Sequence, residues 1–183
     1  MADGGGHDGR AGNGGITYIT GVNVKGEDLG GHQGKEAALS KANSGSIDVI
    51  IACVGEGSYA EKPGDIDVPE LPIGQVQFIQ SLNETKVPMV VIVVEGRARL
   101  LQGIPEMATS VIHAWLPGPA AGRAIADVLT GQVNPSARMP ITYPKYSGTM
   151  LHQYYGKPSE KCTNPNNGFE VCIYLSTYLC VRG

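Results

Sequence analysis

"DVIIACVGEGSYAEKPGDID", Asp48 to Asp67, runs from an apolar segment straight into an acidic one. Residues 48–54 are short and rich in β-branched side chains, the pattern of a strand buried on both faces of a parallel sheet. The segment that follows is charged on one side of the ledger: Glu56, Glu61, Asp65, Asp67 and Glu70 stand against one base, Lys62. Gly55 and Gly57 permit tight turns, Pro63-Gly64 signals another, and Tyr59 offers an aromatic face with a hydroxyl. If the strand belongs to an open parallel sheet, this loop leaves its carboxyl end, where such sheets handle ligands. Carboxylates beside an aromatic ring suit a sugar. A solvated acidic surface loop is the competing reading.

Working outward, two further runs have strand character, "VPMVVIVV" (87–94) and "SVIHAWL" (110–116). Helical patterns alternate with them. "GKEAALSKANS" (34–44) gathers Ala37, Ala38, Leu39 and Ala42. "GQVQFIQSLNET" (74–85) repeats apolar residues at Val76, Ile79 and Leu82, and "GRAIADVLTG" (122–131) carries Ile125, Val128 and Leu129 on one stripe before Gly131, a natural stop. Strand and helix in alternation predict an α/β domain with a mostly parallel sheet. "ITYITGVNV" (16–24) is offered as an additional strand in glycine-rich surroundings.

The remaining composition sets limits. The 183 residues fit one domain with loose ends. A net charge of −3 advertises neither a nucleic-acid surface nor an anionic-membrane surface, so small neutral partners are favoured over both. The 26 glycines are about twice average usage, and "MADGGGHDGRAGNGG" (1–15) lacks the apolar residues that would offset the entropy of ordering it, so it is expected to stay flexible. No signal-peptide pattern or 18-residue apolar run is visible. Two readings stay open: a cytosolic chain, or a piece of a longer protein targeted by a segment elsewhere. Cys53 reads as a small hydrophobe in its strand, whereas Cys162, Cys172 and Cys180 crowd a polar tail, where a Cys162–Cys172 disulfide and reduced thiols are equally open. His7, His32, His113 and His152 are too scattered to suggest a metal site, and no cofactor is expected.

The order of motifs carries a resemblance. "VGEGSYAEKPGD", then "VVIVVEGRAR", then "AWLPGPAAGRAIADVLTGQVNPSARMPITYP" resembles the second domain of glycoside hydrolase family 3, the β-glucosidase family, from about Ser46 to Tyr146. In that family a strand leads to a G-E-x-x-Y-x-E-x-x-G-D loop, the next strand ends in S-G-R-P, and A-W-x-P-G, a G-R-A-I-A-D-V-L-x-G helix and N-P-S-G-R-L-P-x-T-x-P follow. The resemblance implies a three-layer α/β sandwich; the domain is expected over residues 16–146, between the flexible amino-terminal segment and an irregular tail at 147–183 where the family pattern dissolves. It also implies a retaining glycosidase component, in which a carboxylate nucleophile attacks the anomeric carbon while a second carboxyl group protonates the leaving oxygen and then activates water. In the family the nucleophile belongs to a preceding (β/α) barrel, and the acid/base glutamate comes from the loop matched here. Carried over, Glu61 is the acid/base candidate, four residues before Asp65 in the E-x-x-G-D spacing. Glu56 is the runner-up, and the plain alternative for both is a solvated carboxylate or helix-cap partner. Tyr59, Asp65 and Trp115 are candidate sugar contacts, although Trp115 suits a core or domain contact as well.

Departures from the family pattern matter too. Arg97 keeps the S-G-R-P arginine, but Glu95 replaces the serine and Ala98 the proline; Glu95 is expected to pair locally with Arg97 or Arg99. Pro119, Ala120 and Ala121 remove a carboxylate from the start of the 122–131 helix, and Ala137 stands for glycine in "NPSARMP", read as a turn into a last strand. No G-F-V-x-S-D-W-like barrel segment or I-G-P-N-A-like strand occurs. The tail "NGFEVCIYLSTYLCVRG" leaves the family's Y-P-F-G-x-G-L-S-Y-T path after Phe169-Glu170-Val171, as a truncated, frame-shifted or excised sequence would. The expected partners are a β-glucoside or oligosaccharide and a separate barrel domain. A non-catalytic carbohydrate-binding or protein-interaction α/β module is the alternative function. Family members are often secreted or periplasmic, an address for which this sequence shows no signal.

Overall fold

All three β-branched runs form strands in the computed structural model, which describes residues 15–147. They are β1 (Ile50–Gly55), β2 (Met89–Val94) and β3 (Ser110–His113), parallel and ordered β1-β2-β3. Cys53 faces Ile92 across the first pair, and Val93 faces His113 across the second. The helices are α1 (Lys35–Ala42), α2 (Ile73–Glu84), the short α3 (Ile104–Met107) and α4 (Ala121–Leu129). The chain is therefore an α/β domain with a parallel sheet. The flexible segment and the irregular tail expected at the two termini, with Cys162, Cys172, Cys180, His7 and His152, lie outside the described residues.

One sheet face makes the core. Ala52 and Val54 of β1, Met89, Val91 and Val93 of β2, and Val111 of β3 cluster with Ala42 of α1, with Val76, Ile79 and Leu82 of α2, and with Ile104 of α3. The three-residue spacing in α2 puts Val76, Ile79 and Leu82 on this face, all buried. Each such side chain removed from water contributes roughly 1.5–3 kcal/mol. The helix ends where the Thr85 hydroxyl donates to the Leu82 carbonyl and Lys86 turns to a φ of 62°. α4 is amphipathic, but none of its residues is fully buried.

Three expectations need correction. β1 is not buried on both faces: Ile51 is 43% exposed and Cys53 is exposed, because their side chains point away from the face that α1, α2 and α3 cover. Residues 16–24 do not form a strand. They make isolated bridges, Gly21 to Gly34 and Val22 to Asp28, and Ile16 and Tyr18 lie exposed, so no apolar face holds them in a sheet. The segment after "NPSARMP" enters no strand within the described residues; Asn134 to Arg138 are exposed coil.

Gln75 places the functional end of the sheet. Its buried amide accepts from the Gly55 N–H at 2.9 Å and donates to the Gly55 carbonyl at 2.8 Å and to the Val24 carbonyl at 2.7 Å. This satisfies the backbone of the last β1 residue, whose polar groups are costly to bury unpaired. Only glycine fits there, since a Cβ on Gly55 would stand 1.9 Å from the Val94 carbonyl oxygen.

Candidate active site at the strand ends

Just past Gly55, the Glu56 N–H donates to the Val94 carbonyl at 3.1 Å, extending the β1–β2 contact by one residue. This aims the Glu56 side chain into the gap between the two strand ends. There Oε1 accepts from the Gly96 N–H at 3.0 Å, and Oε2 accepts from Arg97 Nε at 3.2 Å and Arg99 Nε at 2.8 Å. The Glu56 side chain is 4% exposed. Burial pushes its carboxyl up, but the Gly96 amide, Arg99, Tyr59 and Arg97 outweigh burial and hold it below the ordinary carboxylate value. A carboxylate so neutralised and enclosed is poorly suited to give up a proton to a substrate. It is well suited to anchor two arginines.

The arginines then diverge. Arg99 Nη1 donates to the Glu70 carbonyl at 2.9 Å, tying down the far end of the acidic loop. Arg97 Nη1 donates to the Gly64 carbonyl at 2.5 Å, and its guanidinium lies 4.0 Å from the centre of the Tyr59 ring. Burial and then the Glu56 carboxylate push the Tyr59 hydroxyl up, keeping it protonated.

Glu61 sits in the same loop under different conditions. A single 3-10 turn, Lys62–Gly64, follows it, closed by the Gly64 N–H donating to the Glu61 carbonyl at 2.9 Å and the Asp65 N–H donating to the Lys62 carbonyl at 3.0 Å. Its backbone is held at φ 50°, a region uncommon for a residue other than glycine. Glu61 is exposed, and its carboxylate makes no hydrogen bond or ion pair among the described residues. Asp65 and Tyr59, in the same loop, are exposed as well. The loop thus separates an anchoring acid from a presented one.

A second network lies behind β2. Glu95 is fully buried; its Oε1 accepts from the Tyr143 hydroxyl at 2.7 Å and its Oε2 from the Arg99 N–H at 3.3 Å. The expected pairing of Glu95 with an arginine side chain does not occur, because Glu56 takes both guanidiniums and Glu95 meets only the Arg99 backbone. Burial, then Glu95, pushes the Tyr143 hydroxyl far up, so it stays a donor. His113 packs its ring 4.4 Å from that of Tyr143, with Nδ1 3.7 Å from Glu95 Oε1. Trp115 joins this cluster, 6.1 Å from the His113 ring, and its carbonyl accepts the Glu95 N–H. A cavity of about 630 Å³ opens here, lined by Leu100, Val111, His113 and Tyr143; none of residues 56–65 lines it.

Sequence reasoning missed Gln75, Arg99 as an anchor, and Tyr143. No local pattern marks any of them, since each acts on a residue far away in the chain. Among the described residues no group of His, Cys, Asp and Glu could hold a metal ion, and no helix is long and apolar enough to cross a membrane.

A parallel α/β domain with an acidic loop at its strand ends is the class that this geometry defines. The chain belongs to glycoside hydrolase family 3: residues 4–177 match the glycosyl hydrolase family 3 C-terminal domain. It is 42% identical over 118 residues to the lysosomal beta glucosidase of Dictyostelium discoideum, covering 63% of this chain and 14% of that protein. To the periplasmic beta-glucosidase of Salmonella typhimurium it is 32% identical over 119 residues, 64% of this chain and 16% of that protein. The chain thus spans about one-seventh of these relatives. Among solved structures, a beta-glucosidase from Listeria innocua in complex with glucose superposes with a TM-score of 0.66 at 23% identity, over 88% of this chain and 24% of that one, a likeness of fold. A b-glucosidase from Erythrobacter marinus matches with a TM-score of 0.58 at 30% identity, over 68% of this chain and 17% of that one.

Proposed function

We propose that this chain is the acid/base half of a β-glucosidase-type active site, with Glu61 protonating the glycosidic oxygen and then activating water. The observation that carries this reading is the division of labour in one loop: Glu56 is enclosed by two arginines, while Glu61 is presented to solvent beside Tyr59 and Asp65. In a retaining mechanism the second carboxyl group, the nucleophile, stands roughly 5–5.5 Å from the acid. The family resemblance assigns that group to a (β/α) barrel, so the barrel is the expected partner and a β-glucoside or oligosaccharide the expected substrate. Tyr59 and Asp65, exposed in the same loop, are read as sugar contacts on the acid side. Trp115, committed to the Glu95–Tyr143 cluster, serves packing first.

The test is hydrolysis of an aryl β-glucoside by the chain alone and with a family barrel domain added. The chain alone is expected to be inactive and the mixture active. Glu61→Gln should then lower turnover by about 10²–10⁴-fold, the usual contribution of a general acid/base. Full activity in Glu61→Gln would rule the assignment out. Sugar binding with no activity in either arm would instead favour a carbohydrate-binding module.

A further inference from the structure

We infer that Arg97 is the positioning residue for Glu61, acting through the backbone of the turn that presents the acid. This rests on the reading of Glu61 as the acid/base. Three contacts meet on one guanidinium. Nε donates to Glu56, itself fixed at the end of β1 by the Gly96 amide. Nη1 donates to the Gly64 carbonyl. The face stacks on Tyr59. Gly64 is the residue whose N–H closes the turn onto the Glu61 carbonyl. The path from sheet to acid is therefore β1, Glu56, Arg97, Gly64, Glu61, with every link a hydrogen bond or a peptide segment.

The turn has little else to hold it. No side-chain cap bonds to its first N–H groups, Glu61 keeps an uncommon backbone conformation, and the residues on either side of the turn are exposed. Such conformations persist only when their surroundings over-determine them. The Tyr59 ring supplies the steric part: a Cβ on Gly64 would stand 2.6 Å from Tyr59 Cδ2, so ring and turn are in contact. Arg97 supplies the directional part, because a planar guanidinium can address a carboxylate and a carbonyl at once with fixed geometry. Arg99 shares the Glu56 carboxylate but sends its other donor to Glu70, outside the turn. The two arginines therefore make a matched pair, one holding Glu61 and one not.

Amide hydrogen exchange on the full chain separates them. In Arg97→Gln the Gly64 and Asp65 amides should exchange at least about 10-fold faster than in the parent, while Arg99→Gln changes them by less than about 2-fold. Unchanged protection in Arg97→Gln overturns the proposal, as does equal loss in both variants. The link to catalysis is read from kcat/KM in the chain-plus-barrel mixture with two aryl β-glucosides. Arg97→Lys should lose about 10- to 100-fold on a 4-methylphenyl leaving group, which needs a well-placed proton, and under about 3-fold on 2,4-dinitrophenyl, which does not. An equal loss on both substrates marks a merely structural role and overturns the inference. If Glu61→Gln itself fails to discriminate the two substrates, the acid assignment falls, while the exchange result still decides whether Arg97 holds the turn.

Discussion

Glu56 and Glu61 leave the same strand end, in the same acidic loop, and have opposite surroundings. The first is aimed between β1 and β2, enclosed, and bound by one amide and two guanidiniums. The second stands on an exposed turn with no partner among the described residues. The distance from the strand end makes the difference. A residue directly after β1 inherits the direction of the sheet and its side chain meets what leaves β2, whereas half a loop later only the backbone of the turn is reached from there and the Glu61 side chain is not. Charge alone does not identify a catalytic acid; an acid fully engaged by arginines is an anchor.

Substitutions can break that contrast. The largest effect belongs to Glu61→Gln: a loss of about 10²–10⁴-fold in turnover of the chain-plus-barrel mixture, with urea unfolding of the chain unchanged. Glu56→Ala should act on the fold, costing about 2–4 kcal/mol of stability in urea titrations, since it strands one largely buried and one partly exposed guanidinium. A stability loss in the first and none in the second would exchange their roles. Tyr143→Phe removes the hydroxyl from fully buried Glu95 and should cost about 1–3 kcal/mol by the same titration. It tests whether the second network is as structural as the first.

A pH series sharpens the comparison. The Glu56 carboxyl is held below its ordinary value of 4.5 in the folded chain. Its contribution to stability is therefore complete above that value and is lost as pH falls toward the lower folded value. Unfolding free energy should fall more steeply between about pH 5 and 3 in the parent than in Glu56→Gln. Parallel curves would show that the clamp adds nothing. The smallest effect is expected from Arg123→Ala, which breaks a solvent-exposed pair with Asp127 on α4 and should stay within about 0.5 kcal/mol.

The strands and the long helices were legible because their cause is local. Residues 48–54, 87–94 and 110–116 predict strands that begin or end within three residues of those observed, and Val76, Ile79 and Leu82 mark the buried face of α2 from spacing alone. α3 was not legible: four residues with a proline in the first turn are too few to show a period. The exposure of Ile51 and Cys53 depends on what covers a sheet face, which a β-branched run does not specify. The acidic loop was likewise readable as one leaving a strand end, and the family resemblance, not the residues alone, made Glu61 and Glu56 its two candidate acids. Their separation into presented and anchored was not, because Arg97 and Arg99 reach Glu56 from 41 and 43 positions away.

Those separations also bear on how the chain assembles. The contact between Gly96 and Glu56 closes a loop of 40 residues, whereas Met89 and Thr109, at the start of β2 and β3, are 20 apart. Each doubling of loop length adds only about 0.6 kcal/mol of closure entropy, yet that favours β2 meeting β3 before β1 arrives. Parallel pairing across a long crossover is slow by its topology. The Glu56 clamp then forms with the last strand to join, and the turn bearing Glu61 acquires its geometry only when the sheet is complete. The refolding rate of the full chain should therefore follow β1 docking more closely than helix formation.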